Sequence, residues 1–428
     1  MQSRESVDVV EWVSTAVPGL TDGEARALEQ LGSELKGSSP WWGGVQGEDP
    51  DSDAASSSVI RLSRRPKDTD WCVQVTNAVG VVGVGNKQLI VHPKIGERHF
   101  NFIASMAIEP PRTRIGDGVF GLDGDRTYLH AVWKSYLDSL ATTLTADLHR
   151  DYQQHFEDID YVRGTMDPRR SSLNLARGVF RFPSRFEDLT EDNPVNRVLK
   201  AAAIAVGSGL EGSLGPHGGG DGGLSAKRAW AMLYRLGGVG DLVPGDDEVA
   251  EPRLAVHQKR ALGLARHVLS GFGRSLRVGD VEVSCFLHPT PELMEDGIRE
   301  LLNAELGSEL AVSKRRRMAA RLSFNPDLVV EADNQGSGGP IATGDVKYRL
   351  RRDDWPRSTL LQAMGFAQVF SSGKAFFVDF SNDEFMDSNP ETIADIEYRH
   401  VTWRSDDIVD PVIAAARVVD QVREFVTA

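Results

Sequence analysis

The sequence predicts a mixed α+β fold with a β-rich N-terminal region, a mostly helical centre and a C-terminal α/β region. Three observations predict this order. Alternating valines and a Gly-Asn pair between residues 71 and 95 are typical of a β-hairpin. Apolar residues at helical spacing run through the centre, and strands alternate with helices from about residue 281. The predicted domains are 1–125, 126–275 and 276–428.

Composition and charge exclude several classes of protein. The chain has 428 residues and a net charge of −14, which argues against a protein that coats nucleic acid through a basic face. Its two cysteines, Cys72 and Cys285, lie far apart and form no zinc motif. An apolar run long enough for a membrane span is absent, and the acidic N-terminus does not resemble a secretion signal. We therefore expect a cytoplasmic protein that does not enter a membrane.

The N-terminal region is predicted to contain a hairpin. Residues 1–60 read as a helical start followed by a polar tract, to which we assign no role. One apolar strand is expected from Val73 to Val84, with a turn at Gly85 and a return strand ending near Pro93. The glycines of this segment do not predict a phosphate loop, because no helix opens after them.

The centre is predicted to be helical. An amphipathic helix is expected over 128–157. A second helix should begin near Pro194, capped by Asp192 or Asn193, and two more are expected at about 224–236 and 254–271. The glycine-rich loop at 207–223 carries no chemistry that we can assign.

The C-terminal region carries the residues that point to a reaction. Its predicted order is strand, helix at 291–306, two strands, helix at about 358–371, and strand, with a last strand near 396–403 and a final helix. A glycine-rich loop at 334–340 joins the two middle strands. Pro326-Asp327 opens the first of them, and Asp345-Val346-Lys347 lies on the second.

The pattern of these three charged residues indicates metal-dependent phosphodiester hydrolysis. Asp345 and Lys347 are two residues apart on a strand and therefore share a face, and Asp327 can meet them if the strands are neighbours. Two carboxylates suit Mg²⁺ or Mn²⁺, and a lysine can stabilise charge on the phosphate. The same pattern also occurs by chance in strands. On the nuclease hypothesis, this is the arrangement of the PD-(D/E)xK restriction-endonuclease-like class.

Further residues are candidates for the same site. Gln362 on the following helix is a candidate catalytic helper, and Glu295 on the preceding helix is a candidate third metal ligand. A basic run is a candidate for DNA phosphate contacts or, equally, a solvated turn. Its members are Lys314, Arg315, Arg316 and Arg317.

A nucleotide-binding P-loop is absent from the sequence. The nearest match, Gly373-Lys374-Ala375, lacks the hydroxyl residue and the upstream glycine. Any nucleotide hydrolysis linked to this protein is therefore expected to come from a partner.

The order of motifs resembles the McrC family, the nuclease subunits of McrBC-type modification-dependent restriction systems. The matching segments are VGVVGVGNKQLIVHPKI with Pro93, Lys94 and Ile95, YVRGTMD with Arg163 and Gly164, EDNPVNRVLKAA with Asn196, Arg197 and Lys200, and NPDLVV and GDVKYRL. The family often has Phe-Glu where this chain has Met294-Glu295, and the first sixty residues match nothing in it.

The resemblance implies a protein that works with a hexameric AAA+ GTPase, McrB, stimulates it, and cuts double-stranded DNA, usually at modified sites read by the partner. The region before about residue 275 would bind the partner, and the region after it would cut. Lys94, Arg163 and Arg197 would serve as structural ion-pair residues. Two alternatives stay open: a non-catalytic subunit that activates the GTPase, and a PD-(D/E)xK nuclease of another defence or repair system.

Overall fold

The computed structural model describes residues 5–37, 58–64, 70–108, 128–213, 221–246, 254–270, 275–307, 310–319, 321–332, 339–350, 357–383 and 389–428. The helices of these residues are α1 (Asp22–Gly37), α2 (Glu97–Ile108), α3 (Tyr128–Ala146), α4 (Pro168–Ala176), α5 (Pro194–Ser213), α6 (Asp221–Arg235), α7 (Val256–Ser270), α8 (Thr290–Leu306), α9 (Arg357–Phe370) and α10 (Pro411–Thr427). The strands are β1 (Glu5–Val10), β2 (Thr15–Val17), β3 (Ile60–Ser63), β4 (Trp71–Val75), β5 (Ala78–Val84), β6 (Lys87–His92), β7 (Asp151–Ile159), β8 (Thr165–Met166), β9 (Phe182–Thr190), β10 (Ser275–Val278), β11 (Val281–Pro289), β12 (Leu310–Ser313), β13 (Arg317–Ala319), β14 (Leu322–Phe324), β15 (Leu328–Ala332), β16 (Ala342–Leu350), β17 (Lys374–Ser381), β18 (Glu391–Ile393) and β19 (Ile396–Arg404).

The chain forms two compact units, and the mixture of helices and sheets agrees with the predicted α+β class. Unit 1 contains residues 1–131 and 270–428, and unit 2 contains residues 132–269. The regions 1–125 and 276–428, which the sequence suggested as separate domains, thus contribute to one unit. The physical reason is that β11, from the C-terminal region, pairs with β5 of the N-terminal region.

The N-terminal sheet of unit 1 has the strand order β1-β6-β5-β11-β10. The predicted hairpin is present as β5 and β6, joined at Gly85 and Asn86. The single strand expected from Val73 to Val84 is wrong, because Asn77 adopts a left-handed backbone conformation with φ 53° and separates β4 from β5. Strand β4 belongs to a small sheet with the order β2-β4-β3. The helical start expected in residues 1–60 appears as α1, after β1 and β2.

Gly80 allows β5 and β11 to approach closely. Its φ is +143°, and a Cβ atom there would lie 2.0 Å from the carbonyl oxygen of Phe286 on β11. Only glycine fits this combination of backbone angle and space. The glycines of this segment therefore serve strand pairing and turns, as the sequence predicted.

The second large sheet of unit 1 has the order β12-β15-β16-β17-β19-β18. Strands β16, β17 and β19 are parallel neighbours, and β15 is antiparallel to β16. Phe376 contacts Phe425 of α10, whereas the next residue, Phe377, packs with Ala363 and Ala367 of α9. Because successive strand residues point to opposite faces, α9 and α10 cover opposite faces of the sheet.

Unit 2 contains a sheet that the sequence analysis did not predict. The helix expected over 128–157 ends at Ala146, and residues 151–159 form β7, which pairs with β9 in the order β7-β9-β8. The apolar helical repeat stops before this segment, and β9 supplies hydrogen-bond partners that no local pattern reveals. The helix expected at Pro194 is α5, and the Asn193 side chain caps it by accepting a hydrogen bond from the Asn196 amide.

Some sequence predictions fall outside the described residues. They concern the polar tract at 38–57, residues 214–220 of the glycine-rich loop expected at 207–223, and most of the loop at 334–340. At the two ends of 207–223 the loop prediction is wrong, because residues 207–213 continue α5 and residues 221–223 begin α6. Within the residues that are described, no helix combines the length and apolar character that crossing a membrane requires.

Candidate active site

The antiparallel pairing of β15 and β16 brings Asp327 and Asp345 together. Leu328 is opposite Gly344, so Asp327, one residue before β15, is next to Asp345. Asp327 Oδ2 accepts a hydrogen bond of 2.9 Å from the Val346 amide, which fixes its carboxylate against the neighbouring strand. Both aspartates are buried, with exposed fractions of 7% and 5%. Burial is costly for carboxylates and is tolerated when charge or hydrogen bonds compensate for it.

Lys347 lies between Asp345 and α9. Its Nζ atom is 2.8 Å from Asp345 Oδ2 and donates a 2.8 Å hydrogen bond to Gln362 Oε1. The contact with Asp345 is an ion pair without hydrogen-bond geometry, so Asp345 Oδ2 is a buried oxygen that accepts no hydrogen bond. The two contacts together hold the ammonium at the carboxylate pair.

A second cation, Lys314, also lies close to the acids. It follows β12, and its Nζ atom lies 3.1 Å from Glu295 Oε2 and 3.8 Å from Asp327 Oδ1. Glu295 lies on α8 and is mostly buried. The site thus combines three carboxylates and two ammonium groups. They are contributed by α8, by β16, by the residue before β15 and by the segment after β12.

Crowding of the three acids changes their acidity. Burial, followed by the negative charges of Asp345 and Glu295, raises the pKa of Asp327 well above its usual range. Burial also raises the pKa of Glu295, against the opposing charge of Lys314. A cation near the cluster would favour the ionised carboxylates, because it offsets both their repulsion and their loss of hydration.

The remaining residues of the basic run make contacts away from the acid cluster. Arg315 forms an ion pair of 2.6 Å with Glu331, and Arg316 donates to Ser323. Arg317 donates to the Val369 carbonyl and lies over the Phe370 ring. Each guanidinium is at the surface and is accessible to solvent. Contact of this basic run with DNA phosphates stays a prediction.

Glu292 is a residue that the sequence reasoning missed. It precedes Glu295 by three positions on α8, which places both side chains on one helix face. Burial, followed by the charge of Glu295, raises the pKa of Glu292 to about 7. The three-residue spacing of Glu292 and Glu295 within a predicted helix was the sequence signal that could have identified Glu292.

A buried polar cluster lies against the strand that carries Lys347. Lys94 Nζ is 3.9 Å from the centre of the Tyr348 ring, and Glu11 Oε1 accepts a 2.6 Å hydrogen bond from Thr290, the first residue of α8. Burial raises the pKa of Glu11 and lowers that of Lys94. Lys94 makes a cation–π contact with Tyr348 and also interacts with the charge of Glu11. The expected ion pairs are present at Arg163 with Asp188 and at Arg197 with Asp192.

The donor set suits a hard divalent cation. Proteins often bind Mg²⁺ through one or two carboxylates, with waters completing the octahedron. Asp327 and Asp345 supply such a pair, including the Oδ2 oxygen of Asp345 that accepts no hydrogen bond. Among the described residues, no three His, Cys, Asp or Glu side chains are grouped closely enough to form a metal site by themselves. The pair fits Mg²⁺, and Glu295 as a third ligand stays a prediction.

Comparison with solved structures shows the fold of the chain. In a refined half-complex of the tetradecameric assembly of Thermococcus gammatolerans McrB AAA+ hexamers with bound McrC, one chain matches with a TM-score of 0.60 and 16% identity. The match covers 98% of this chain and 100% of that chain. A chain of the Thermococcus gammatolerans McrBC complex matches with a TM-score of 0.45 and 18% identity, covering 71% of this chain and 88% of that one.

Comparison with sequences shows the family. No curated protein matches the chain. The family model described as McrBC 5-methylcytosine restriction system component matches residues 73–377, which include the β5–β6 hairpin, unit 2 and the strands that carry Asp327, Asp345 and Lys347. Because this match spans more than half of the sequence, the chain belongs to the family of McrBC 5-methylcytosine restriction system components.

Proposed function

We propose that this protein is the DNA-cleaving subunit of an McrBC-type restriction system and that it acts when bound to an AAA+ GTPase hexamer, which it stimulates. The observation that carries the proposal is the convergence of Asp327, Asp345 and Lys347 on two neighbouring strands. Pro326-Asp327 and Asp345-Val346-Lys347 supply the motif of the PD-(D/E)xK class, and the sheet between α9 and α10 supplies its scaffold.

The residues of the site have separate roles in this proposal. Asp327 and Asp345 would hold Mg²⁺, or Mn²⁺ in its place, which supplies Lewis acidity and offsets phosphate charge when bound. Lys347, fixed by Gln362, is placed to stabilise the negative charge that develops on the scissile phosphate. Gln362 acts through Lys347 and is therefore a positioning residue.

Two observations support the AAA+ partner. The chain belongs to the McrBC component family, and its fold is similar to a chain in an assembly of McrB AAA+ hexamers with bound McrC. Unit 2 also exposes large apolar side chains, including Phe156 at 69% and Phe180 at 74%. Exposed apolar surface of this kind marks sites of protein interaction. We therefore assign partner binding to unit 2, with double-stranded and modified DNA as the substrate of the complex.

The test is cleavage by the assembled complex. The protein is purified with an AAA+ GTPase of the McrB type, and cutting of methylated and unmethylated DNA is measured with GTP and Mg²⁺. Asp345→Asn should lower cleavage by about a hundredfold or more, because it removes a metal-binding charge, and should leave GTPase stimulation intact. EDTA should abolish cutting, and Mg²⁺ or Mn²⁺ should restore it.

The alternatives predict different results in the same assay. A non-catalytic activator would stimulate the GTPase without metal-dependent cutting by either wild type or Asp345→Asn. A nuclease of another system would cut without responding to the AAA+ protein or to DNA methylation. The first outcome would overturn the proposed cleavage activity, and the second would overturn the proposed AAA+ partner.

A further inference from the structure

Lys314 occupies an unusual place for a lysine at a nuclease site. Its ammonium lies between two of the three clustered carboxylates, 3.1 Å from Glu295 and 3.8 Å from Asp327. Its side chain is 43% exposed, whereas those of Glu295 and Asp327 are 20% and 10% exposed. Residues 314–316 have no regular secondary structure. A flexible side chain thus reaches into a mostly buried acid cluster from the surface.

The carboxylates around Lys314 favour a positive charge at the position of its ammonium group. Burial opposes its charge, but the charges of Glu295 and Asp327 outweigh this effect and raise the pKa of Lys314. It therefore neutralises carboxylates that would otherwise repel one another. A divalent ion on Asp327 would repel an ammonium at this distance, because like charges about 4 Å apart repel one another at a partly buried site.

We propose that Lys314 is an internal competitor for the metal: its ammonium pairs with Glu295 and Asp327 when the site is free of metal and leaves when a divalent cation binds. The inference rests on the proposed metal site at Asp327 and Asp345. It adds that the ammonium of Lys314 regulates how readily a divalent cation occupies that site. On release, the four-carbon stem of Lys314 carries its charge to the surface, where the basic run is a candidate for contact with DNA phosphates or, equally, a solvated turn.

The chain offers a matched control for this role. Arg315 is the next residue, has a similar exposure of 49%, and pairs with Glu331 instead of the acid cluster. Substituting either residue by methionine removes one positive charge from the same segment. Only the change at Lys314 removes the charge that competes with the metal.

The first experiment measures binding of Mn²⁺ to the full-length protein by electron paramagnetic resonance, without DNA. Lys314→Met should bind Mn²⁺ about tenfold more tightly than wild type, as expected for loss of one competing charge near the ion. Arg315→Met should bind like wild type, and Asp327→Asn should lose the site. Equal affinity of Lys314→Met and Arg315→Met would overturn the inference. Binding by wild type that is absent or unchanged in Asp327→Asn would overturn the proposed metal site instead.

The second experiment needs no variant and so does not depend on its folding. Lysine acetylation of the wild-type protein by a limiting reagent is followed by mass spectrometry, with EDTA or with Mg²⁺. Lys314 should be modified several-fold faster with Mg²⁺, because its ammonium leaves the carboxylates. Lys200, which pairs with Asp241 in unit 2, serves as the internal standard. Protection of Lys314 that does not change with Mg²⁺ would show that the ammonium is not displaced.

Discussion

Lys347 illustrates how single side chains define the candidate site. A free lysine side chain has many rotamers, and ordering it costs roughly 1.5–2 kcal/mol of conformational entropy. Here the strand supplies Asp345 on one side, and α9 supplies Gln362 on the other, so the ammonium is ordered before any substrate arrives. Such preorganisation favours stabilisation of charge in a transition state.

The hydrogen bond from Lys347 to Gln362 can be tested directly. Gln362→Leu should lower the cleavage rate of the partner complex by about tenfold, because Lys347 loses one of the two contacts that orient it. Gln362→Glu keeps an acceptor oxygen and should retain more activity than Gln362→Leu. Gln368→Leu makes the same change at an exposed position of α9 and should cut like wild type. Equal rates for Gln362→Leu and Gln368→Leu would remove Gln362 from the site.

The closeness of Asp327, Asp345 and Lys347 could be predicted from the sequence, whereas the contacts of Lys314 could not. Asp327, Asp345 and Lys347 were found because acids and a lysine are unusual in apolar strands. The contact of Lys314 with Glu295 depends on the path of the chain after β12, and no spacing rule describes that path. A run of four basic residues looked uniform in the sequence, yet only Lys314 contacts the acids.

At the level of elements, regular apolar patterns predicted well where helices and strands lie, but they predicted poorly where these elements begin and end. Helices α8, α9 and α10 and strands β15 to β17 agree with the prediction, because buried elements need continuous apolar faces. The break between β4 and β5 was missed because one Asn in a left-handed conformation leaves the apolar pattern intact. Strand β7 was missed because it is mostly exposed and its pattern carries little apolar signal.

His92 joins three elements in a way that depends on pH. Its ring nitrogens lie 2.6 Å from Glu97 on α2 and 2.9 Å from Asp8 on β1. The hydrogen bond to Glu97 is the largest cause that raises the pKa of His92 to about 9; burial opposes it, and Asp8 adds to it. Because the folded-state value lies above the usual 6.5, the stabilisation is complete below about pH 6.5 and is lost as pH rises through about 9.

This linkage gives a stability prediction. His92→Gln should lower the free energy of unfolding by about 1 kcal/mol at pH 6, a value reduced for solvent screening at this partly exposed site. The difference from wild type should vanish near pH 10. Thermal unfolding of both proteins at the two pH values measures the effect. A difference that is the same at pH 6 and pH 10 would mean that the charge of His92 does not stabilise the fold.

At the level of the whole molecule, the proposal that unit 2 binds the partner gives a prediction for its exposed apolar surface. Phe180→Asp should weaken binding to the AAA+ GTPase by at least about tenfold, because a buried aromatic anchor often contributes 2 kcal/mol or more at an interface. GTPase stimulation and DNA cutting should fall together. The readout is partner GTPase turnover as the concentration of the variant rises.

The control for this surface lies in unit 1. Ile408 is a large apolar residue that is 86% exposed, so Ile408→Asp makes a comparable change elsewhere. It should leave stimulation unchanged. Loss of stimulation in Ile408→Asp with full stimulation in Phe180→Asp would place the partner on unit 1. The sequence suggested partner binding before residue 275, but it could not show these exposures, which depend on tertiary packing.

The pairing of β5 with β11 also determines when the protein can fold during its synthesis. Val84 pairs with Val283, so the N-terminal sheet stays incomplete until about 200 further residues have been made. At about 5–20 residues per second, roughly 10 to 40 s pass between the synthesis of β5 and that of β11, and the edge of β5 stays unpaired during this time. Unit 2 is fully translated within that interval and can fold first. A fragment that ends at residue 275 never receives β11, and its open, apolar strand edge would favour aggregation.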